Sequence, residues 1–146
     1  MNAPSLHQRP KGVTAVSVFL FFGAIVSGVA TASLLRSGSW LEPMWRLHER
    51  ARAGFDSMGA PAIALLAVVS IACLIGAVGL WLGRRWGYLT AVGIFVFNLL
   101  GDLANSLTGT EPRAIIGVPI TAAILWYLST RAVRDYFSPR PQPNTE

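Results

Sequence analysis

Four long apolar stretches, separated by short charged segments, dominate this chain of 146 residues. The hydrocarbon layer of a membrane is about 30 Å thick and a helix rises about 1.5 Å per residue, so one crossing needs about 20 mostly apolar residues. Because 53% of the residues are hydrophobic and only 13% are charged, a soluble core is the weaker explanation. We therefore predict an all-α integral membrane protein.

The four stretches predict a four-transmembrane-helix bundle in a single domain over residues 1–137. The first two contain no charge and are long enough to cross with some tilt. The third reaches crossing length only by continuing through Asp102, and the fourth lengthens at both ends, including into residues 131–137. Alternating prolines after Phe137 predict a flexible tail over residues 138–146. The predicted spans are residues 13–35, 59–82, 86–107 and 112–130.

The segment between the first two spans is longer than a plain connection requires. Pro43 suits the first turn of a helix, and apolar side chains recur after it at intervals of three or four residues. This pattern predicts an amphipathic helix over residues 42–57 that lies along the outer membrane interface or caps the bundle. Such a helix rests on the membrane or presents a docking surface to a partner.

His48 lies on the apolar side of this predicted helix. An imidazole at that place could ligate the metal of a haem or a chlorin. However, His7 lies on the opposite side of the predicted membrane, and the sequence contains no haem-attachment motif and no thiol cluster. We therefore expect no cofactor and no bound metal, with haem or chlorin bound by His48 as a weaker alternative.

The distribution of positive charge predicts the orientation, because short loops rich in lysine and arginine stay in the cytoplasm. Of the 12 basic residues, seven fall on the side that carries both termini and five fall opposite, so both termini are predicted to be cytoplasmic. Tryptophan prefers the headgroup level of a membrane. All five tryptophans lie near predicted span boundaries: Trp40, Trp45, Trp81, Trp86 and Trp126.

Three polar residues of the third span, Asn98, Asp102 and Asn105, are spaced four and three apart and so share one helical face. Burying a carboxylate in a membrane is costly, and such a residue normally faces protein or water. This face is therefore predicted to point inward. The three side chains either fix helix packing through hydrogen bonds, each contributing about 0.6 to 2 kcal/mol, or form a proton or cation site centred on Asp102.

Small residues recur at four-residue spacing in the first two spans, and such spacing lets helices approach closely. They indicate ordinary packing within the bundle or, alternatively, a homodimer seam. In the fourth span, Pro119 is expected to kink the helix. The predicted packing residues are Ala24, Gly28, Ala32, Ala72, Gly76, Gly79 and Gly83.

Residues 79–88 (GLWLGRRWGY) place a basic and aromatic junction at a span boundary, and residues 133–137 (VRDYF) follow the last span. Together with Tyr127 and Leu128, these motifs resemble small four-span prokaryotic membrane proteins of unknown function. The resemblance covers residues 79–137. It implies a bacterial or archaeal plasma membrane and assigns no catalytic residue.

The sequence contains no catalytic motif, so we expect a non-enzymatic protein. The leading prediction is a structural or accessory subunit of a homo-oligomer or of a larger membrane complex. The first alternative is a small oligomeric transporter or channel component that uses Asp102, and the second is a pigment- or haem-binding subunit that uses His48. The expected partners are the lipid bilayer and other membrane-protein subunits, and nucleic acid is not expected.

Overall fold

A computed structural model of the chain describes residues 9–36, 49–108 and 114–138. These residues form helices joined by short turns, and no strand occurs among them. The all-α prediction is confirmed for this part of the chain. The six helices are α1 (Lys11–Leu35), α2 (Glu49–Met58), α3 (Ala60–Trp81), α4 (Arg85–Thr108), α5 (Ala114–Leu128) and α6 (Arg131–Phe137).

Three helices are long and apolar enough to cross a membrane: α1, α3 and the Arg85–Leu107 part of α4. A fourth crossing exists if α5 and α6 count as one span, because Ile115–Leu128 and Arg131–Phe137 together meet the same requirement of length and hydropathy. The two segments are bent by 60° relative to each other. The helices form a bundle that is compatible with a multi-pass membrane protein.

Each long helix packs antiparallel on the next long helix along the chain. The α1–α3 pair is joined by two hydrogen bonds from serine side chains to backbone carbonyls. Ser17 Oγ donates to Ala77 O at 2.8 Å, and Ser70 Oγ donates to Ala24 O at 2.8 Å. In the same way α3 packs on α4 and α4 packs on α5, whereas α1 touches α5 at few places. Each long helix therefore packs mainly on the next one, and the contact between α1 and α5 that completes the bundle is small.

A tight turn at Gly83 joins α3 to α4. Gly83 has a φ of 64°, in the left-handed region that glycine adopts without the steric cost of a Cβ atom. Its N–H donates to Leu80 O at 3.1 Å, and the N–H of Arg84 donates to Gly79 O at 2.9 Å. This pair of bonds is the Schellman motif, which satisfies the last carbonyls of a helix. The turn therefore sets α4 directly against α3.

The backbones of α3 and α4 meet at Gly79 and Gly87, next to this turn. A Cβ atom added to Gly79 would overlap the Cα atom of Gly87, and one added to Gly87 would overlap the backbone of Gly79. Only hydrogen atoms fit between the two helices here. Small residues at such crossings allow dispersion contacts between backbones, which is how helices associate in membranes.

The second half of the predicted outer segment is helical. Helix α2 carries an ion pair between Arg52 Nε and Asp56 Oδ2 at 3.6 Å, and residues 42–48 lie outside the described residues. Gly59 separates α2 from α3 with a φ of 60° and a ψ of −133°. Pro61 follows in the first turn of α3, where its missing N–H costs nothing.

Helix α5 does not continue straight into residues 131–137, as the predicted fourth span would require. Thr130 adopts an extended conformation, with ψ 147°, and its hydroxyl donates to Tyr127 O at 2.7 Å instead of capping α6. The bend brings Val133 and Phe137 of α6 into the core, where 0% and 5% of their surfaces are exposed. Burial of these two side chains explains why the helix turns back over the end of the bundle.

The core is concentrated at one end of the bundle, which we call the turn end. It contains the start of α1, the α3–α4 turn and the α5–α6 bend. Val13, Leu80, Leu128 and Val133 are fully buried there. At the opposite end, which we call the far end, none of residues 96–107 of α4 is buried. The far half of α4 is therefore exposed over most of its surface.

Candidate functional site

Asp102 lies between α4 and α5 in the far half of the bundle. Its carboxylate sits directly on Gly117, because a Cβ atom added to that glycine would overlap Asp102 Oδ2. The absence of a side chain at Gly117 is what makes room for the carboxylate. Asp102 is consequently half-buried against α5, while the rest of its surroundings remains accessible.

The predicted partners of Asp102 are on the same helix face, but they are more exposed. Asn98 Nδ2 donates to Asp102 Oδ2 at 3.4 Å, a long hydrogen bond, and the Asn98 side chain is exposed. Asn105 is also exposed. Ser106, absent from the sequence prediction, donates its hydroxyl proton to the backbone carbonyl of Asp102 at 2.7 Å.

Gly101 lies on this same exposed surface between the two asparagines. No heavy atom outside its own helix backbone and chain neighbours lies within 4 Å of a Cβ atom built on it. We call the surface formed by Asn98, Gly101 and Asn105 the α4 polar face. It presents two carboxamides and a patch of bare backbone on the outside of the single chain.

The predicted packing glycines in the long helices contact other helices of the same chain. Gly28 faces Ser70 Oγ, which lies 3.2 Å from the position of an added Cβ atom. Gly76 lies between Leu20 and Ile94, each with a carbon atom 3.4 Å from such a position. These glycines therefore bring α1, α3 and α4 together within one chain.

The remaining predicted packing residues differ in their roles. Ala24 is buried and Ala72 is half-buried, whereas Ala32 is exposed. Gly79 meets Gly87 of α4, a residue that is not among the predicted packing residues. Gly83 is the turn residue, and Tyr136 covers it, with its hydroxyl oxygen 2.9 Å from the position of an added Cβ atom.

The turn end contains an aromatic and basic cluster that sequence reasoning missed. The guanidinium of Arg9 lies 4.7 Å from the ring centre of Trp81, in a cation–π contact, and it donates a hydrogen bond to Leu80 O at 3.4 Å. Gly12 packs on the ring of Tyr127, which closes α1 against α5. The only sequence signal was the recurrence of aromatic and basic residues near span boundaries.

The chemistry available around Asp102 is one carboxylate with the carboxamide of Asn98 and the hydroxyl group of Ser106 close to it on α4. Within the described residues, no group of three or more His, Cys, Asp or Glu side chains is placed to hold a metal ion. His48, the candidate haem or chlorin ligand, lies outside the described residues. Comparisons with known protein families, with curated proteins and with solved structures find no match for this chain.

Proposed function

We propose that this chain is a non-enzymatic membrane protein with four spans, a structural or accessory subunit that associates with a second copy through the α4 polar face. The observation that carries the proposal is the exposure of Asn98 within residues 91–101 of α4, which are otherwise apolar. An exposed carboxamide is unfavourable on a helix surface that contacts only lipid, because lipid tails form no hydrogen bonds with it.

Asn98 lies about 20 Å along α4 from Arg85, by the helical rise of about 1.5 Å per residue. In a helix that starts at one membrane surface, this position is inside the hydrocarbon layer. Lipid tails offer no hydrogen-bond partner, and the bond to Asp102 occupies one of the two donors of the Asn98 carboxamide. A neighbouring protein surface supplies partners for the rest.

A second copy of the chain suits this surface for two reasons. A carboxamide carries both donors and an acceptor, so it is complementary to another carboxamide. Gly101 beside it removes the side chain that would keep a second helix at a distance. Copies inserted in the same orientation bring the same depth of α4 together, so Asn98 meets polar groups of the partner's α4 polar face.

The four-span topology is part of the proposal, with α5 and α6 as one bent span. Basic residues crowd the turn end, which also carries both ends of the described chain, and this favours a cytoplasmic turn end. Helix α2 would then lie at the outer interface of a prokaryotic plasma membrane. Its position between two spans, with the charged pair Arg52 and Asp56 on its surface, supports that placement.

The test uses the protein extracted from its native membrane in mild detergent. Its mass is measured by analytical ultracentrifugation, and co-purifying proteins are identified by mass spectrometry. Gly101→Leu is expected to give monomers because its side chain fills the contact surface. Gly93→Leu is the matched control, since it is the same change in the same helix at a glycine that also faces open space. Gly93 lies two turns before Gly101 and is rotated from it by about 80° around the axis, and from Asn98 by about 140°.

A monomeric wild-type protein without a companion would contradict the proposal. A stoichiometric companion of another sequence would instead make this chain an accessory subunit of a heteromeric complex. Equal oligomer fractions in Gly101→Leu and Gly93→Leu would show that the copies do not associate through the α4 polar face. Both glycines lie in a helix interior, so replacing either one also raises local helix propensity.

A second candidate function is transport through an oligomer, with Asp102 as the coupling or selectivity residue. The favouring observation is that the carboxylate rests on Gly117, two residues before Pro119, where α5 lacks one backbone hydrogen bond. Asp102→Asn separates the two functions: loss of ion-dependent flux with intact assembly supports transport, and loss of assembly supports packing. An absorption spectrum of the same sample tests the third candidate, haem or chlorin bound through His48.

A further inference from the structure

A polar cleft opens at the turn end, between the first turns of α4 and the α5–α6 bend. Its volume is about 390 Å³, and Arg85 of α4 and Arg134 of α6 line it from two different helices. Both arginine side chains are exposed. Among the described residues, neither guanidinium forms an ion pair. Within the described part of the chain, the cleft therefore presents two positive groups that have no acidic partner, and one ligand can contact both.

Charge at this end of the bundle is strongly asymmetric. Of the acidic residues in the described helices, Glu49 and Asp56 belong to α2 and Asp102 to the far half of α4. Asp135 is therefore the one described acidic residue at the turn end, and it does not line the cleft. The described basic residues at the same end are Arg9, Lys11, Arg84, Arg85, Arg131 and Arg134. The surrounding field therefore attracts anions to the cleft.

The floor of the cleft is held by packing. The rings of Tyr88 and Phe137 stack with their centres 5.2 Å apart, and the Tyr88 hydroxyl donates to Leu128 O at 3.2 Å. Phe137 is nearly fully buried, which fixes the position of α6. The backbone that carries Arg134 is therefore set by the core, and the distance between the two arginine backbones does not depend on a ligand.

The hydroxyl groups at the rim are already in use as donors. Ser129 Oγ donates to Leu125 O at 2.8 Å, and Ser138 Oγ donates to Arg134 O at 2.9 Å. Recognition of an anion thus depends on the two guanidinium groups, whose planar sets of N–H donors match the oxygens of a phosphate. A headgroup that adds an ammonium beside its phosphate is disfavoured by the same two charges.

The surroundings of the cleft distinguish a lipid from a free anion. Leu89, one turn further along α4, lines the cleft and is 57% exposed. Trp86 is 47% exposed at the level of the cleft, as expected of a tryptophan at a headgroup boundary. A polar cleft that continues into exposed apolar surface fits a molecule with an anionic head and acyl chains.

From these observations we propose that the cleft between Arg85 and Arg134 binds the phosphate of an anionic phospholipid headgroup, with the acyl chains lying along α4 past Leu89. The site is separate from the α4 polar face, which lies in the opposite half of the bundle. It needs no second copy of the chain, because both arginines come from one chain. The bound lipid would link α4 to α6 across the bend.

The test measures lipid retention by native mass spectrometry on the full-length protein in detergent, titrated with phosphatidylglycerol, with phosphatidylcholine and with inorganic phosphate. Wild-type protein is expected to retain phosphatidylglycerol more tightly than phosphatidylcholine. Each of Arg85→Gln and Arg134→Gln is expected to weaken phosphatidylglycerol binding about fivefold, and the double variant about twenty-five-fold. Replacing both arginines by lysine keeps the charges but removes the planar donor sets, so it is expected to recover only part of the affinity that the double glutamine variant loses.

Arg84→Gln and Arg131→Gln are the matched controls. Each removes one exposed arginine beside the cleft without touching its lining, and each is expected to leave the preference for phosphatidylglycerol intact. Equal binding of both lipids by the wild type, or unchanged binding in the double glutamine variant, would overturn the proposal. Displacement of phosphatidylglycerol by inorganic phosphate at matched concentration would overturn the lipid assignment in favour of a free-phosphate site.

Discussion

The crossing of α3 and α4 makes a quantitative prediction for Gly87→Ala. The three heavy atoms nearest to an added methyl group at Gly87 all belong to the backbone, including Leu80 N at 2.6 Å, and backbone cannot swing aside as a side chain can. Carbon atoms in ordinary contact are about 3.5 to 4.0 Å apart. The two helices must therefore separate by about 1 Å, which loosens the packing of the fully buried Leu80 and Ala91.

Overpacking of this kind costs about 1 to 3 kcal/mol. Alanine also gains up to about 1 kcal/mol over glycine in a helix interior, which offsets part of the cost. Gly93→Ala isolates that gain, because no heavy atom outside its local backbone lies within 4 Å of the added Cβ atom. We expect the free energy of unfolding of Gly87→Ala to lie about 2 kcal/mol below that of Gly93→Ala.

The assay is unfolding by sodium dodecyl sulfate in mixed micelles, followed by far-ultraviolet circular dichroism. The double variant Gly79→Ala with Gly87→Ala provides an internal check. Once one methyl group has separated the helices, the second costs less. The double variant should therefore lose less unfolding free energy than the sum of the losses in the two single variants. Equal stability of Gly87→Ala and Gly93→Ala, within about 0.5 kcal/mol, would refute the close crossing.

Three further predictions use the same unfolding assay. Gly59→Ala forces a side chain into the backbone conformation at φ 60° and ψ −133° and should cost about 1 to 3 kcal/mol, whereas Gly54→Ala, in open space, should not destabilise the protein. Ser70→Ala removes the 2.8 Å bond to α1 and should cost about 0.6 kcal/mol, and a loss above 2 would contradict this account. Gly12→Ala should destabilise the wild type but not a Tyr127→Ala background, because the three heavy atoms nearest to the added methyl group all belong to the Tyr127 side chain. Equal losses in both backgrounds would exclude that contact.

The helical class and the approximate bounds of the three long apolar helices were predictable, because they depend only on the order of residues along the chain. A crossing needs a certain number of consecutive apolar residues, and the sequence counts them directly. The predicted third span, residues 86–107, differs from Arg85–Leu107 by one residue at its start. The first span differs similarly, because α1 begins at Lys11, where a charged side chain can reach the membrane surface.

The contacts between helices were not predictable, because they depend on which faces meet. Gly79 and Gly83 have the four-residue spacing of a packing pair, yet Gly83 is used in the turn and Gly87 provides the contact. The spacing of Asn98, Asp102 and Asn105 predicts a shared helix face that points inward, whereas in the single chain Asn98 and Asn105 are exposed and Asp102 alone is half-buried. The spacing contained no information about Gly117, whose missing side chain gives Asp102 its place on α5.

The order of packing has a consequence for biosynthesis. Each span finds its main partner in the span that emerged from the ribosome just before it, so α1 with α3, and then α3 with α4, can pair while the rest of the chain is still being made. The contact of Gly12 with Tyr127 joins α1 to α5, and it can form only when synthesis is almost complete. Until α6 emerges and Phe137 reaches Tyr88, the nascent protein is an open chain of hairpins that a membrane insertase or a neighbouring copy can still enter.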